Sequence, residues 1–194
     1  EMEEYKERGQ IEKIIVTGCF PERNYNLMKE NFPAIDAFLK LKENEKICEF
    51  IEDLYGVEHA KAIKTYERVL TSGTSYAYLK IADGCNNVCS YCTIPRIRGR
   101  YISYPIADLV NEAKNLAERG ISELILVAQD TTRYGEDLYG ENSLIKLCDK
   151  LTKIEGIKWI RLHYAYPERV DESLLAYISK TDKMCKYLDM PLQH

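Results

Sequence analysis

Three cysteines fall within one short stretch of the sequence, and their spacing is the clearest chemical signal in the chain. Cys85, Cys89 and Cys92 are separated by three and two residues, so their thiolates can converge on one small object. Structural zinc sites use four ligands, which usually come as two close pairs. A cubane iron-sulfur cluster held by three cysteines instead leaves one iron without a protein ligand. We therefore predict a [4Fe-4S] cluster with an open iron, the alternatives being chance proximity or a disulfide beside a free thiol.

An open iron of this kind has a specific chemical use. It can bind an amino and a carboxylate group at once, and S-adenosylmethionine presents that pair at its methionine end. One electron passed from the cluster to the sulfonium would break a carbon-sulfur bond and release a 5'-deoxyadenosyl radical, which takes hydrogen from unactivated carbons. Tyr91, between the second and third cysteines, is a candidate to shield the cluster or pack on the adenine; otherwise it fills the space beneath the loop.

Composition limits the cellular setting and the partners. The 194 residues carry 27 Lys and Arg against 31 Asp and Glu, and the formal net charge of -4 argues against direct nucleic-acid binding by this chain. Seven cysteines, with neither a secretory leader nor a long apolar run, indicate a reducing, cytosolic setting and no membrane insertion. An odd number of cysteines also fits poorly with a closed disulfide framework.

The first part of the sequence, residues 1–56, predicts a small α/β module. Short β-branched runs alternate there with apolar residues at helical spacing, and Gly56 supplies a helix stop. The predicted strands are 13–17 and 37–39, and the predicted helices are 22–31 and 43–55. Residues 57–75 show no strong period, and we interpret them as a linker.

From Tyr76 onwards, strands alternate regularly with amphipathic helices, and this predicts a parallel sheet with helical crossovers. The predicted strands are 76–82, 123–128, 157–164 and 185–189, and the predicted helices are 105–119, 143–154 and 171–179. Residues 76–194 therefore form the second predicted domain. The pattern alone fits either a partial (β/α) barrel or a flat doubly wound sheet.

Polar residues follow each predicted strand, and in barrel-like folds such strand ends share one functional face. Gln129 is a candidate to hydrogen-bond the methionine or ribose part of the cofactor, or it caps a loop. His163 and His194 either face the cavity or are structural groups. The basic patch of Arg96, Arg98 and Arg100 suits a carboxylate-bearing ligand or is a solvated face. The remaining cysteines, Cys48, Cys148 and Cys185, are assigned to core packing.

The cysteine triplet, with an aromatic residue before its third cysteine, resembles the radical S-adenosylmethionine superfamily. Further stretches are similar to the methylthiotransferases, and the likeness covers nearly the whole chain. Two of them resemble the RimO type, which modifies a small-subunit ribosomal protein, rather than the tRNA-modifying MiaB type. These two are Gln-Asp-Thr-Thr-Arg-Tyr-Gly at 129–135 and Tyr-Ala-Tyr-Pro at 164–167.

The resemblance implies an α/β fold in which part of a small α/β domain precedes a partial parallel (β/α) barrel. It implies addition of a methylthio group to the β-carbon of an aspartate in a small-subunit ribosomal protein. S-adenosylmethionine, a second [4Fe-4S] cluster and an electron donor protein would take part. A tRNA adenosine as substrate, and a structural metal-binding module without catalysis, are the competing hypotheses.

The second cluster of that family is held by three cysteines of an N-terminal domain, and Cys19 matches the last of them. The other two would lie before Glu1, so we expect the sequence to be a fragment that lacks the auxiliary cluster and is inactive by itself. Without the resemblance, Cys19 would be interpreted as a small buried residue at a strand end.

Overall fold

The computed structural model describes residues 1–58, 68–70, 73 and 75–192. The chain divides into two compact units, Glu1–Ile63 with Arg96–Arg98 and Lys64–Pro95 with Gly99–His194. Much of the predicted linker, together with Gln193 and His194, lies outside the described residues. The division into domains made from the sequence therefore stays a prediction.

The first unit has the predicted α/β character, with two short parallel strands. Its helices and strands are α1 (Met2–Glu7), β1 (Ile15–Thr17), α2 (Cys19–Asn31), β2 (Ala37–Leu39) and α3 (Ile47–Tyr55). Helix α1 was not predicted, and α2 begins at Cys19 because Gly18, with φ of +115°, reverses the chain directly after β1. The predicted helix 43–55 is a 3-10 helix, Leu41–Lys46, followed by α3.

A half-buried carboxylate ties α1 to the strands of this unit. Asp36 precedes β2 and accepts hydrogen bonds from the Lys6 ammonium at 2.5 Å, the Ile14 N–H at 2.8 Å and the Lys13 ammonium at 3.2 Å. The bond from Lys6, followed by that from Ile14, holds the pKa of this carboxyl well below its ordinary value of 3.8, although burial opposes the shift.

The second unit contains a four-stranded parallel sheet whose strands are paired in chain order. The strands are β3 (Tyr76–Lys80), β6 (Glu123–Val127), β7 (Trp159–Leu162) and β8 (Met184–Leu188). The helices between them are α5 (Ile106–Glu118), α7 (Leu144–Leu151) and α8 (Glu172–Lys180), with the shorter α6 (Glu136–Tyr139) in a loop. Helix α4 (Ile94–Ile97) ends in the short stretch that is grouped with the first unit. Strand order and direction confirm the predicted parallel α/β fold.

The three long helices cover one face of this sheet. Their apolar side chains recur at helical spacing, as with Leu144, Leu147 and Leu151 of α7, and pack against alternate strand residues such as Leu79 and Leu124. The opposite face is open, with Tyr78, Trp159 and Tyr187 exposed. A doubly wound sheet carries helices on both faces and reverses its strand order, so this arrangement is that of a partial barrel.

Two details of the prediction from sequence are corrected. The predicted strand 76–82 is two strands, because β4 (Ala82–Asp83) leaves the parallel sheet and pairs antiparallel with β5 (Ile102–Ser103). Cys148 is buried as predicted, but Cys48 is exposed beside the apolar stripe of α3, and Cys185 is half-buried on the open face of the sheet. Core packing therefore holds for only one of these three cysteines.

In the part of the chain that the structure describes, the longest apolar helical stretches fall short of what a membrane span requires.

Replacing Asp36 with Asn should lower the free energy of unfolding near neutral pH by about 1 kcal/mol, below the range for hydrogen bonds to a buried charged group because this carboxylate is partly exposed to solvent. Because the folded-state pKa of Asp36 is depressed, this contribution is complete above 3.8 and is lost as pH falls through the folded-state value. Urea unfolding of both proteins across pH, with hydrogen exchange at β1, measures the difference.

The control is Glu3→Gln, which removes an exposed carboxylate of α1. A difference between wild type and Asp36→Asn that stays constant down to the lowest pH would contradict the assigned role of the carboxylate.

Candidate functional site

The carboxyl ends of the parallel strands meet at one edge of the sheet and are joined there by backbone hydrogen bonds. Beyond β6, the Thr131 N–H donates to the Tyr164 carbonyl at 3.1 Å. Beyond β7, the Ala165 N–H donates to the Asp189 carbonyl at 2.8 Å. The expectation that these strand ends share a face is confirmed for the residues described.

The cysteine loop begins directly after β4, where Gly84 allows an unusually close approach of two backbone segments. Gly84 has φ of +72°, and a Cβ at this position would lie 2.1 Å from the Arg100 carbonyl oxygen. The next residue closes the contact, because the Cys85 N–H donates to the Gly99 carbonyl at 3.1 Å. Only glycine fits this junction, which sets where the first cysteine enters the loop.

The three cysteines are free thiols with different exposures. Cys85 is buried, whereas Cys89 and Cys92 are half-buried and joined by a turn in which the Cys92 N–H donates to the Cys89 carbonyl at 3.0 Å. Burial raises the pKa of the Cys85 thiol; the Asn87 N–H, 3.3 Å from its sulfur, opposes this shift, while Asp130, Cys92 and Cys89 add to it. The three thiols therefore share one electrostatic environment.

The chemistry of the three thiols fits an iron-sulfur cluster. They come from one short segment and are the soft donors that such clusters take. Within the described ranges, no three His, Cys, Asp or Glu side chains are gathered closely enough to hold a metal ion. The type of donor therefore matches a cluster, and its place on these three cysteines stays a prediction.

Two tyrosines approach the middle cysteine. Tyr91 is 61% exposed, and burial, followed by the charge of Cys89 and a hydrogen bond with its sulfur, raises the pKa of its phenol. Glu168, followed by Cys89, raises the pKa of Tyr166 from the loop after β7. Tyr91 therefore lies on the outer side of the loop rather than beneath it, and Tyr166 was not identified from the sequence.

The open face of the sheet carries an aromatic cluster near the same edge. The His163 ring lies 6.5, 6.2 and 6.1 Å from the ring centroids of Tyr78, Tyr164 and Tyr187. Arg161 precedes His163 by two residues and lies on the same face of the sheet. It donates to Glu123 at 2.6 Å and lies over the Tyr187 ring at 5.1 Å. This face therefore offers aromatic surface and paired charges beside the cysteine loop.

Tyr164 occupies a backbone conformation that side chains rarely adopt. Its φ is +57°, and no other described residue except glycine has a positive φ. The Asp189 carboxylate accepts from its N–H at 3.2 Å, and its carbonyl accepts from the Thr131 N–H and hydroxyl at 3.1 and 3.3 Å. Both neighbouring strand ends thus hold the strained residue, as is common at functional sites.

Comparison with known proteins identifies the family. Residues 79–194 match the model of the radical SAM superfamily, in which SAM is S-adenosylmethionine. This chain belongs to that superfamily. The matched region contains the cysteine loop and the sheet of the second unit from the last two residues of β3 onwards.

Several curated relatives are similar to nearly the entire chain. The ribosomal protein uS12 methylthiotransferase RimO of Alkaliphilus oremlandii is 45% identical over 183 residues, covering 93% of this chain and 42% of the relative. The protein of the same name from Elusimicrobium minutum is 47% identical over 194 residues, covering 97% of this chain and 45% of the relative. The chain thus spans less than half the length of these relatives.

A solved structure shows the same fold at low identity. The radical S-adenosylmethionine methyltransferase TsrM from Kitasatospora setae, solved with tryptophan and a cofactor analogue, aligns with a TM-score of 0.68 at 14% identity. The alignment covers 94% of this chain and 42% of that one. At this identity the likeness concerns the fold alone.

The other predicted site residues of this radical SAM chain lie in different surroundings. Gln129 is exposed at the end of β6, and its contact with the cofactor stays a prediction, as does that of Tyr91. Cys19 opens α2 in the first unit and is half-buried. In the basic patch, Arg96 and Arg100 are exposed and Arg98 is half-buried, and its role also stays a prediction.

Replacing Gly84 with Ala should prevent stable cluster binding, because the added Cβ collides with the backbone at Arg100. Iron and sulfide content after anaerobic reconstitution measures the effect, and we expect a loss of at least about tenfold in cluster occupancy, equivalent to about 1.4 kcal/mol.

Gly99→Ala is a matched control in the facing segment. Its φ is +82°, but a Cβ there meets nothing within 4 Å, so it introduces backbone strain without the collision. Equal cluster occupancy in the two variants would contradict the importance of the close approach at Gly84.

Proposed function

We propose that this chain is part of a methylthiotransferase that adds a methylthio group to the β-carbon of an aspartate in ribosomal protein uS12. The observation that carries the proposal is the identity of 41–47% with relatives named for this activity. The cysteine loop at the carboxyl edge of the sheet supports it, because that edge is where barrel enzymes place their chemistry.

In this proposal Cys85, Cys89 and Cys92 hold a [4Fe-4S] cluster, and the loop around them fixes its place at the sheet edge. When bound, the cluster and S-adenosylmethionine supply a carbon-centred radical that removes hydrogen from the target carbon. Tyr91 and Tyr166 both approach Cys89 and are proposed to line this side of the loop. Gln129 lies at the adjacent strand end and is proposed to hydrogen-bond the cofactor.

The open face of the sheet is proposed to receive the substrate aspartate. Tyr78, His163 and Tyr187 provide aromatic ring surface, and Arg161 brings a guanidinium that can interact with a carboxylate. Since Arg161 already pairs with Glu123, an incoming carboxylate would share this cation rather than find it free.

Further parts of the complete reaction belong to the same proposal. Cys19 is proposed as a ligand of a second [4Fe-4S] cluster that handles the sulfur, and a separate protein donates the electrons. All seven cysteines are free thiols, which suits a reducing cytosolic setting.

The two competing hypotheses receive less support. A tRNA substrate is not favoured, because the similar relatives carry the ribosomal-protein name and the net charge is -4. A structural metal module without catalysis is not favoured, because residues 79–194 match the radical SAM superfamily and the similar relatives are named as enzymes.

The complete protein that carries this sequence, supplied with uS12, S-adenosylmethionine, a sulfur source and a reductant, should replace one hydrogen of uS12 by a methylthio group. Intact mass and peptide mass spectrometry would detect the product on an aspartate. Cys89→Ala should reduce product formation by at least about 1000-fold, because the radical step requires the intact cluster.

Cys48→Ala is the control, since this exposed cysteine lies in the first unit, outside the cysteine loop. Unmodified uS12 under conditions in which the cluster is present and reduced would refute the proposed substrate, and full activity of Cys89→Ala would refute the assigned ligand.

A further inference from the structure

The two residues after the first cysteine, Asn86 and Asn87, both connect the cysteine loop to Asp130 at the end of β6. The Asn87 carboxamide donates directly to the Asp130 carboxylate at 3.2 Å. Asn86 acts through Tyr101, whose N–H donates to the Asn86 carboxamide at 3.0 Å and whose hydroxyl donates to the Asp130 carbonyl at 2.8 Å. Asp130 is thus connected to both asparagines, directly to Asn87 and through Tyr101 to Asn86.

The Asp130 carboxylate is itself fixed in place. Its side chain is completely buried, and the Thr132 N–H donates to Oδ1 at 3.1 Å. The other oxygen, Oδ2, faces the Nε atoms of Arg133 and Arg169 at 3.9 and 3.8 Å. Both arginines also pair with Glu136, at 3.5 and 2.6 Å. Because an unpaired buried carboxylate costs several kcal/mol, this network holds the charge in one position.

Asn87 transmits that position to the first cysteine. Arg133 donates to the Asn87 carboxamide oxygen at 3.3 Å, so both ends of the side chain are engaged. With the side chain held, the backbone N–H of Asn87 points at the Cys85 sulfur at 3.3 Å. Hydrogen bonds to ligand sulfurs are among the features that set cluster potentials.

We propose that Asp130 is a positioning residue that, through Asn87, holds the Asn87 N–H on the Cys85 sulfur and raises the reduction potential of the bound cluster. The proposal rests on the proposed function, because it assumes that the three cysteines hold this cluster. An N–H directed at a thiolate withdraws charge from it, and the reduced cluster, which carries one more electron, gains more from this than the oxidised one.

A purely electrostatic role for Asp130 predicts the opposite effect. The negative carboxylate disfavours an added electron nearby, so removing its charge alone would raise the potential. Removing a positioning contact would lower it, because the N–H···S bond weakens. The sign of the change therefore separates the two roles.

The test measures the midpoint potential of the cluster in the complete, anaerobically reconstituted protein without substrate, by redox titration followed by electron paramagnetic resonance. The complete protein is proposed to hold two clusters, so two signals are expected in the spectrum. The signal that changes when S-adenosylmethionine is added is assigned to the cluster of Cys85, Cys89 and Cys92. Asn87→Ala should lower its midpoint potential, and Asp130→Ala should lower it in the same direction. The double variant should shift no further than the larger single shift, because both changes remove one connection.

Two variants serve as controls. Val88→Ala alters a side chain of the same loop that is 92% exposed, and Asp137→Asn alters a carboxylate that accepts from Ser103 without contacting the loop. Neither should change the midpoint potential.

A midpoint that is unchanged or raised in Asn87→Ala or in Asp130→Ala, or lowered equally in Val88→Ala, would overturn the inference, as would loss of cluster binding in Asn87→Ala alone. If the Asp130→Ala protein binds no cluster, the midpoint potential of the Asn87→Ala protein alone decides whether the inference holds. A wild-type protein that binds no [4Fe-4S] cluster would instead refute the proposed function, and the inference with it.

Discussion

The parallel alignment of β3, β6, β7 and β8 is the constraint on which the rest of the second unit depends. With the strands paired in chain order, their carboxyl ends reach a single edge, and residues far apart in sequence become neighbours there. Thr131 contacts Tyr164 across β6 and β7, and Ala165 contacts Asp189 across β7 and β8. Helices on one face leave the other face open, so chemistry at this edge has a surface beside it that can receive a substrate.

Two kinds of contact fix the cysteine loop to this edge. The first is steric: Gly84 packs against the backbone at Arg100 so closely that a side chain is excluded. The second is polar: the buried Asp130 carboxylate holds Asn87 beside Cys85. A carboxylate near thiolates is electrostatically unfavourable, and Arg133 and Arg169 offset much of that charge. The loop is therefore organised by the protein's own contacts.

Much of this site could be predicted from the sequence, since cysteine spacing and strand periodicity are local signals. The order of strands and helices and the position of the cysteine loop at the sheet edge followed from them. The role of Asp130 did not, because it depends on Asn87, Arg133 and Arg169 meeting in space, and no local pattern marks a buried carboxylate. Likewise, β4 left the predicted strand because its pairing with β5 is a tertiary contact. Cys48 was misassigned because it borders the apolar stripe of its helix.

The central claim is that Cys85, Cys89 and Cys92 hold a [4Fe-4S] cluster whose fourth iron binds S-adenosylmethionine. Electron-nuclear double resonance of the reduced protein, with the cofactor labelled in its amino nitrogen and carboxylate, tests this most directly. We expect couplings from both labels that disappear in Cys92→Ala. A cluster signal that shows no coupling to either label, in a protein with the cofactor bound, would contradict the claim.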